Sequence, residues 1–124
     1  IMTRDVLTVP PDITVQQLVS DYFLVHRHGG YPVVRDGQIL GIITLQCVRS
    51  ISKEKRERTT VKEAMVPCER TVMVRPTVSA LNALNIMARE NVGRVLVVEE
   101  GRLLGIVTRG DLMRTIRTKQ ELGA

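Results

Sequence analysis

Aromatic residues are scarce: there is no tryptophan, and two tyrosines and one phenylalanine are all the rings among 124 residues. Recognition of single-stranded nucleic acid by stacking needs more than that, so no nucleic-acid partner is expected. Cysteine is scarce too, and Cys47 and Cys68 show neither a disulfide framework nor Cys-x-x-Cys spacing, which makes a reducing, cytoplasmic setting the default expectation. Long apolar runs are absent: Val95-Leu96-Val97-Val98 and Leu103-Leu104-Gly105-Ile106-Val107 are far shorter than the roughly 20 residues of a membrane-crossing helix. His-Glu-x-x-His is missing, and so is any cluster of His, Cys and carboxylates at metal spacing, so no metal is expected. Without a nucleophile–base pair, paired carboxylates or a phosphate-cradling Gly-x-x-x-x-Gly-Lys, direct catalysis is the weakest reading. The chain opens on Ile1-Met2 with no basic start, apolar stretch and cleavage site, and reads as a segment of something longer.

What remains is a globular composition, 44% hydrophobic and 25% charged, enough for one ordinary domain or two very small ones. Lys and Arg number 18 against 13 Asp and Glu, a surplus compatible with anionic ligands, nucleic acid or an acidic membrane surface. Much of it sits between Arg49 and Lys62, RSISKEKRERTTVK, with six basic and two acidic residues, and is read as a solvated linker.

The chain repeats itself. Asp36-Gly-Gln-Ile-Leu-Gly-Ile-Ile-Thr44 returns 64 residues later as Glu100-Gly-Arg-Leu-Leu-Gly-Ile-Val-Thr108, and Gly29-Gly-Tyr-Pro-Val-Val34 matches Gly93-Arg-Val-Leu-Val-Val98 at the same offset. Further upstream, Pro11-Asp-Ile-Thr-Val15 matches Pro76-Thr-Val-Ser-Ala80 at offset 65. Val15, Leu18, Val19 and Tyr22, like Ala80, Ala83, Leu84 and Met87, have the spacing of an amphipathic helix. Thr14 with Gln17 makes a capping box, and Ser79 caps the second start. Two β-rich runs follow in each half, joined by Asp36-Gly37 or Glu100-Gly101, a hairpin signal. Thr44 and Thr108 open a further helix, and strands before Pro10 and through Val72 and Val74 complete a β-α-β-β-α order. The expected organisation is a first repeat over 1–52, a linker over 53–62 and a second repeat over 63–124. A unit of about 60 residues buries only about 60% of its unfolded surface, so the halves are expected to pack together about a pseudo-twofold axis, with ligand clefts between them.

This pattern resembles a tandem pair of cystathionine-β-synthase (CBS) domains, an α/β (α+β) fold also called a Bateman module. The resemblance is carried by Gly-h-h-Thr-x-x-Asp, where h is apolar, seen as Gly105-Ile-Val-Thr-Arg-Gly-Asp111 and, altered, as Gly41-Ile-Ile-Thr-Leu-Gln-Cys47. The Val-Val strands and Met2 and Met65 at the repeat starts support it. Asp21-Tyr-Phe-Leu-Val-His-Arg-His-Gly-Gly-Tyr-Pro-Val-Val34 and Arg58-Thr-Thr-Val-Lys-Glu-Ala-Met65 further look like the CBS pair at the C-terminus of site-2-protease-like membrane metalloproteases. That likeness implies a regulatory module, fused to a catalytic or membrane domain and lying on its cytoplasmic side, that binds AMP, ADP, ATP or S-adenosylmethionine. It also implies a homodimer. The competing reading is a structural dimerisation module whose clefts bind nothing.

By the resemblance, Asp111 accepts from the ribose hydroxyls and Thr108 meets phosphate with the helix start behind it, roles that suit a carboxylate and a helix N-terminus. The same Thr-x-x-Asp is also a capping box that serves the fold alone. Arg94 is either a phosphate partner or an exposed strand-end arginine. The base is expected to lie among Met2, Asp5, Leu7, His28, Gly29 and Tyr31 of the first repeat, although Gly29 and Gly30 equally suit a tight turn. The opposite cleft, with Thr44, Cys47, Val92 and Gly93, is expected to be weak or vacant, because a thiol stands where the carboxylate belongs. His26 and His28 are two apart and would point to different faces of a helix.

Overall fold

Two prolines decide how the first repeat begins. Pro10 and Pro11 have no amide hydrogen to give a ladder, and in the computed structural model, which describes residues 6–123, the described part of the expected first strand makes one parallel bridge, between Val9 and Val33. Val9 N–H still donates to Pro32 O and Val34 N–H to Val9 O, both at 3.0 Å. The chain forms two compact units, Leu7–Thr71 and Val72 to the C-terminus, with Val6 grouped with the latter.

In the first unit, α1 (Val15–Leu18) starts on Thr14, which closes a capping box with Gln17. The expected helix does not continue as α: Val19–Phe23 is a π-helical turn, closed by Leu24 N–H on Val19 O at 3.0 Å. The cause lies in the repeat offsets. Val15 matches Ala80 at 65 but Gly29 matches Gly93 at 64, so the first repeat has one residue more in this stretch. A π turn takes up one extra residue within a helix. The apolar face survives it, with Val15 and Leu18 buried and Val19 and Tyr22 packed against the same core.

β1 (Gly30–Arg35) and β2 (Gln38–Thr44) form the hairpin, with a bulge at Val33/Val34. Its turn holds Asp36 at φ 52° and Gly37 at φ 78°, the paired left-handed residues of a two-residue hairpin turn. Thr44 caps α2 (Leu45–Arg49).

The basic segment that follows has mostly exposed side chains, Arg56 being half-buried, but a firmly held backbone. A short 3₁₀ turn, Lys53–Lys55, leads to α3 (Val61–Ala64), whose Val61 is fully buried in the first core. Thr59 O accepts from Val15 N–H at 2.8 Å and Arg56 O from Gln16 N–H at 3.0 Å, satisfying first-turn amides of α1 that have no partner within the helix. Then β3 (Val66–Pro67) pairs antiparallel with Gly41 and Ile42, giving a sheet ordered β1-β2-β3. Gly41 is required there: a Cβ on it would lie 2.1 Å from Val66 O.

The second unit repeats the scheme in more regular form. β4 (Met73–Val74) runs parallel to β5 (Arg94–Glu99), which pairs antiparallel with β6 (Arg102–Thr108). The hairpin register is that of the first repeat, bulge included, now at Val97/Val98, with Glu100 and Gly101 at φ 50° and 77°. α4 (Ala80–Glu90) is an uninterrupted α-helix, capped by Ser79 and ended by Asn91 at φ 56°. α5 (Arg109–Glu121) follows Thr108. Val74, Ala83, Met87, Val95, Val97 and Leu112 are among the buried residues of its core. Among the described residues no helix is long and apolar enough to cross a membrane.

Candidate functional site

In the second repeat, strand pairing assembles the candidate residues. Arg94, first in β5, stands directly across from Thr108, last in β6, and Thr108 is the N-cap of α5. Asp111 N–H donates to Thr108 Oγ1 at 3.2 Å, while Thr108 N–H donates to Asp111 Oδ2 at 3.0 Å. Both halves of a capping box are therefore made. The other carboxylate oxygen, Oδ1, accepts from Arg114 Nη2 one turn further along α5. An ionised carboxylate has about four lone-pair directions, and both Asp111 oxygens are engaged at the start of α5. Burial depresses the Arg94 pKa, and the negative charge of Asp111 counteracts the shift. Arg94 is thus half-buried with Asp111 as its electrostatic counterweight. Arg109 N–H donates to Gly93 O at 3.0 Å, which ties the helix start to the strand start.

The first repeat builds the same frame with different chemistry. Leu45 N–H donates to Gly29 O at 3.0 Å, and Thr44, opposite Gly30, caps α2 by accepting from Cys47 N–H at 3.3 Å. The reciprocal arm changes: Cys47 Sγ lies 3.3 Å from Thr44 Oγ1, a weak contact in place of a carboxylate bond. Cys47 is half-buried against the first core.

Of the residues expected to face a base, Met2 and Asp5 lie outside the described residues. Leu7 is exposed. His28 is exposed and Gly29 half-buried, and both line an open depression of ≈ 660 Å³ together with residues 23–27 and Leu45. Tyr31 has a different environment. It is 1% exposed, its hydroxyl donates to Tyr22 O at 3.1 Å, and Tyr22, Phe23 and His28 meet its ring edge-on. That ring is a core element and the residue as a whole is buried, so Tyr31 does not face a ligand. His26 and His28 lie beyond the π turn, not on a helix, and their rings stack 6.4 Å apart. Val92 packs on the second core, its N–H donating to Met87 O, and Gly93 is exposed.

Arg114 is the residue that sequence reasoning overlooked. An acid followed three positions later by a base on a helix is a recognisable pairing signal, and Asp111-x-x-Arg114 carries it. Among the described residues no group of three or more His, Cys, Asp or Glu is placed to hold a metal ion.

Known proteins fit this architecture. Zinc metalloprotease MJ0392 of Methanocaldococcus jannaschii is 34% identical over 125 residues, a match covering 98% of this chain and 33% of that protein. The chain thus spans about a third of the length of this relative. The crystal structure of the CBS-domain containing protein ATU1752 from Agrobacterium tumefaciens superposes with a TM-score of 0.80 at 28% identity, covering 91% of this chain and 90% of that one. The crystal structure of CBSX2 in complex with AMP gives 0.80 at 21% identity, with coverage of 93% and 90%, and so attests the fold alone. The CBS domain profile matches residues 1–54 and again 59–118. The chain is therefore a tandem pair of CBS domains and belongs to that family.

Proposed function

We propose that this CBS pair is a regulatory module that binds an adenine nucleotide of the AMP, ADP or ATP type and thereby modulates an attached domain. The observation that carries the reading is the arrangement of Arg94, Thr108 and Asp111 at the start of α5: a carboxylate, a hydroxyl at a helix N-terminus and a half-buried guanidinium. These are the group types that ribose hydroxyls and a phosphate require. Support comes from CBSX2, a fold neighbour whose structure was solved with AMP. His28, Gly29 and Leu7 of the first repeat, with Met2 and Asp5, are assigned to the base. Thr44, Cys47, Val92 and Gly93 are assigned to a weak second site. The metalloprotease relative supports a fused metalloprotease domain; a membrane-bound parent with this module on its cytoplasmic side, paired with a second copy, is part of the proposal.

Calorimetric titration of this chain and of Asp111→Ala with AMP, ADP, ATP and S-adenosylmethionine tests the reading. A nucleotide binding near 1:1, and lost in the variant, is the expected result. Ligand at about 100 times its dissociation constant adds roughly 2.7 kcal/mol of stability, so a melting shift should accompany it. Absence of binding to the folded chain overturns the reading. The alternative, a dimerisation module that binds nothing, is favoured by one observation: the capping box and the Arg114 pair already give both Asp111 oxygens a structural task.

A further inference from the structure

The α5 start of the second repeat carries an electrostatic surplus that its fold does not need. Arg109 is the first residue of α5, Arg94 faces the helix cap, and Arg114 lies back along the helix toward its N-terminus. Its guanidinium reaches Asp111 Oδ1, and Nη1 lies 3.5 Å from where a Cβ on Gly110 would stand. Helix side chains lean N-terminally, so this course is natural for the chain but unfavourable for the charge. The N-terminal end of a helix repels cations and attracts anions. Arg94 and Arg114 thus act on Asp111 at a positive helix end whose first residue is a third arginine.

The first repeat supplies an internal control. At the matching positions it has Gly30 for Arg94, Leu45 for Arg109, Cys47 for Asp111 and Ser50 for Arg114. The hairpin register, the bulge, the threonine cap and the bond from the helix start to the glycine carbonyl are nevertheless all retained. The frame therefore forms without any of these charges, and the arginine cluster calls for a task besides folding.

We propose that Arg114 is a selectivity residue of the second repeat's site: its guanidinium pairs with Asp111 and turns to the phosphate of an incoming nucleotide. The site then takes phosphate-bearing adenosine derivatives over neutral or sulfonium-bearing ones. The proposal rests on the nucleotide reading above and adds to it the charge class of the ligand. Phosphate compensates the positive charge of the arginines, whereas the sulfonium of S-adenosylmethionine adds to it. Arg114 acts through charge-assisted bonds to phosphate oxygens, and freeing Asp111 Oδ1 leaves that oxygen to the ribose.

The test is calorimetric titration of the wild-type chain, Arg114→Ala and Arg114→Lys with ADP and, separately, with adenosine. Loss of one charge-assisted contact is expected to weaken ADP by about tenfold in Arg114→Ala. Lysine should restore part of it, and adenosine should bind the alanine variant at least as well as the wild type. An equal loss for ADP and adenosine, or no change for ADP, overturns the selectivity role while the nucleotide reading stands. A folded wild type that binds neither ligand overturns both. Arg114 is 67% exposed, and a thermal melt of each variant confirms folding.

Discussion

Thr14 and Thr60 face each other across an isolated antiparallel bridge, and each is the N-cap of its own helix with a completed capping box. Two helix starts are thus secured back to back. Replacing either threonine by alanine should cost about 1 kcal/mol, the usual value of an N-cap, as measured by urea unfolding. The bridge itself is backbone and should survive both substitutions.

Glu63, the reciprocal arm of the Thr60 box, has its pKa lowered, first by the Thr60 backbone N–H and then by the Thr60 hydroxyl. A carboxylate with a folded pKa below its unfolded one stabilises the protein above the unfolded value, and that contribution vanishes as pH falls through the folded value. Stability should therefore decline on the acid side below about 4.5, the ordinary value. Glu63→Gln should flatten that limb, and carboxyl NMR titration should show Glu63 protonating late.

Tyr31 behaves in the opposite sense. Burial, and after it Tyr22, raises its pKa above 10.0. Its contribution is complete below the unfolded value and is lost as pH rises through the folded one. Ultraviolet titration should show a phenol ionising late, accompanied by alkaline loss of structure. Tyr31→Phe should remove the late phenol and, with the bond to Tyr22 O, about 1 kcal/mol.

Gly41→Ala places a methyl carbon 2.1 Å from Val66 O, a backbone atom that can yield only if β3 shifts. Overpacking of this sort costs about 1–3 kcal/mol. Gly93→Ala, with nothing within 4 Å, should stay within about 0.5 kcal/mol, so denaturant midpoints of the two variants separate packing from composition.

Cys47→Asp should restore the missing arm of the first repeat's capping box and raise stability by about 0.5–1 kcal/mol. Nucleotide stoichiometry should stay unchanged, because Gly30, Leu45 and Ser50 stand where the second repeat has Arg94, Arg109 and Arg114. Denaturation and calorimetry on one preparation check both halves of the statement.

The hairpins were legible because Asp36-Gly37 and Glu100-Gly101 state their turn chemistry locally, and the constant offset downstream carries even the bulge from one repeat to the other. The Thr108–Asp111 cap was equally plain. The π turn was harder to foresee: its cause is written in the change of offset, but hydrophobic spacing over Val15–Tyr22 fits an α-helix as well. The partners of the basic segment were illegible, since carbonyls of Arg56 and Thr59 bond as backbone and leave no mark on residue type. Tyr31 misled for a related reason. A ring beside Gly29 and Gly30 suits a pocket wall, and only the fold reveals that Tyr22, Phe23 and His28 enclose it.

Because β3 closes the first sheet from beyond the basic segment, the molecule cannot be divided where its sequence repeats. A fragment ending near residue 54 would keep β1 and β2 but leave Gly41 and Ile42 with an unpaired edge and α1 without the carbonyls that hold its first turn. Such an edge invites pairing with another chain. The repeated segment and the folding unit are out of phase, and the second copy carries at its head a piece of structure that serves the first.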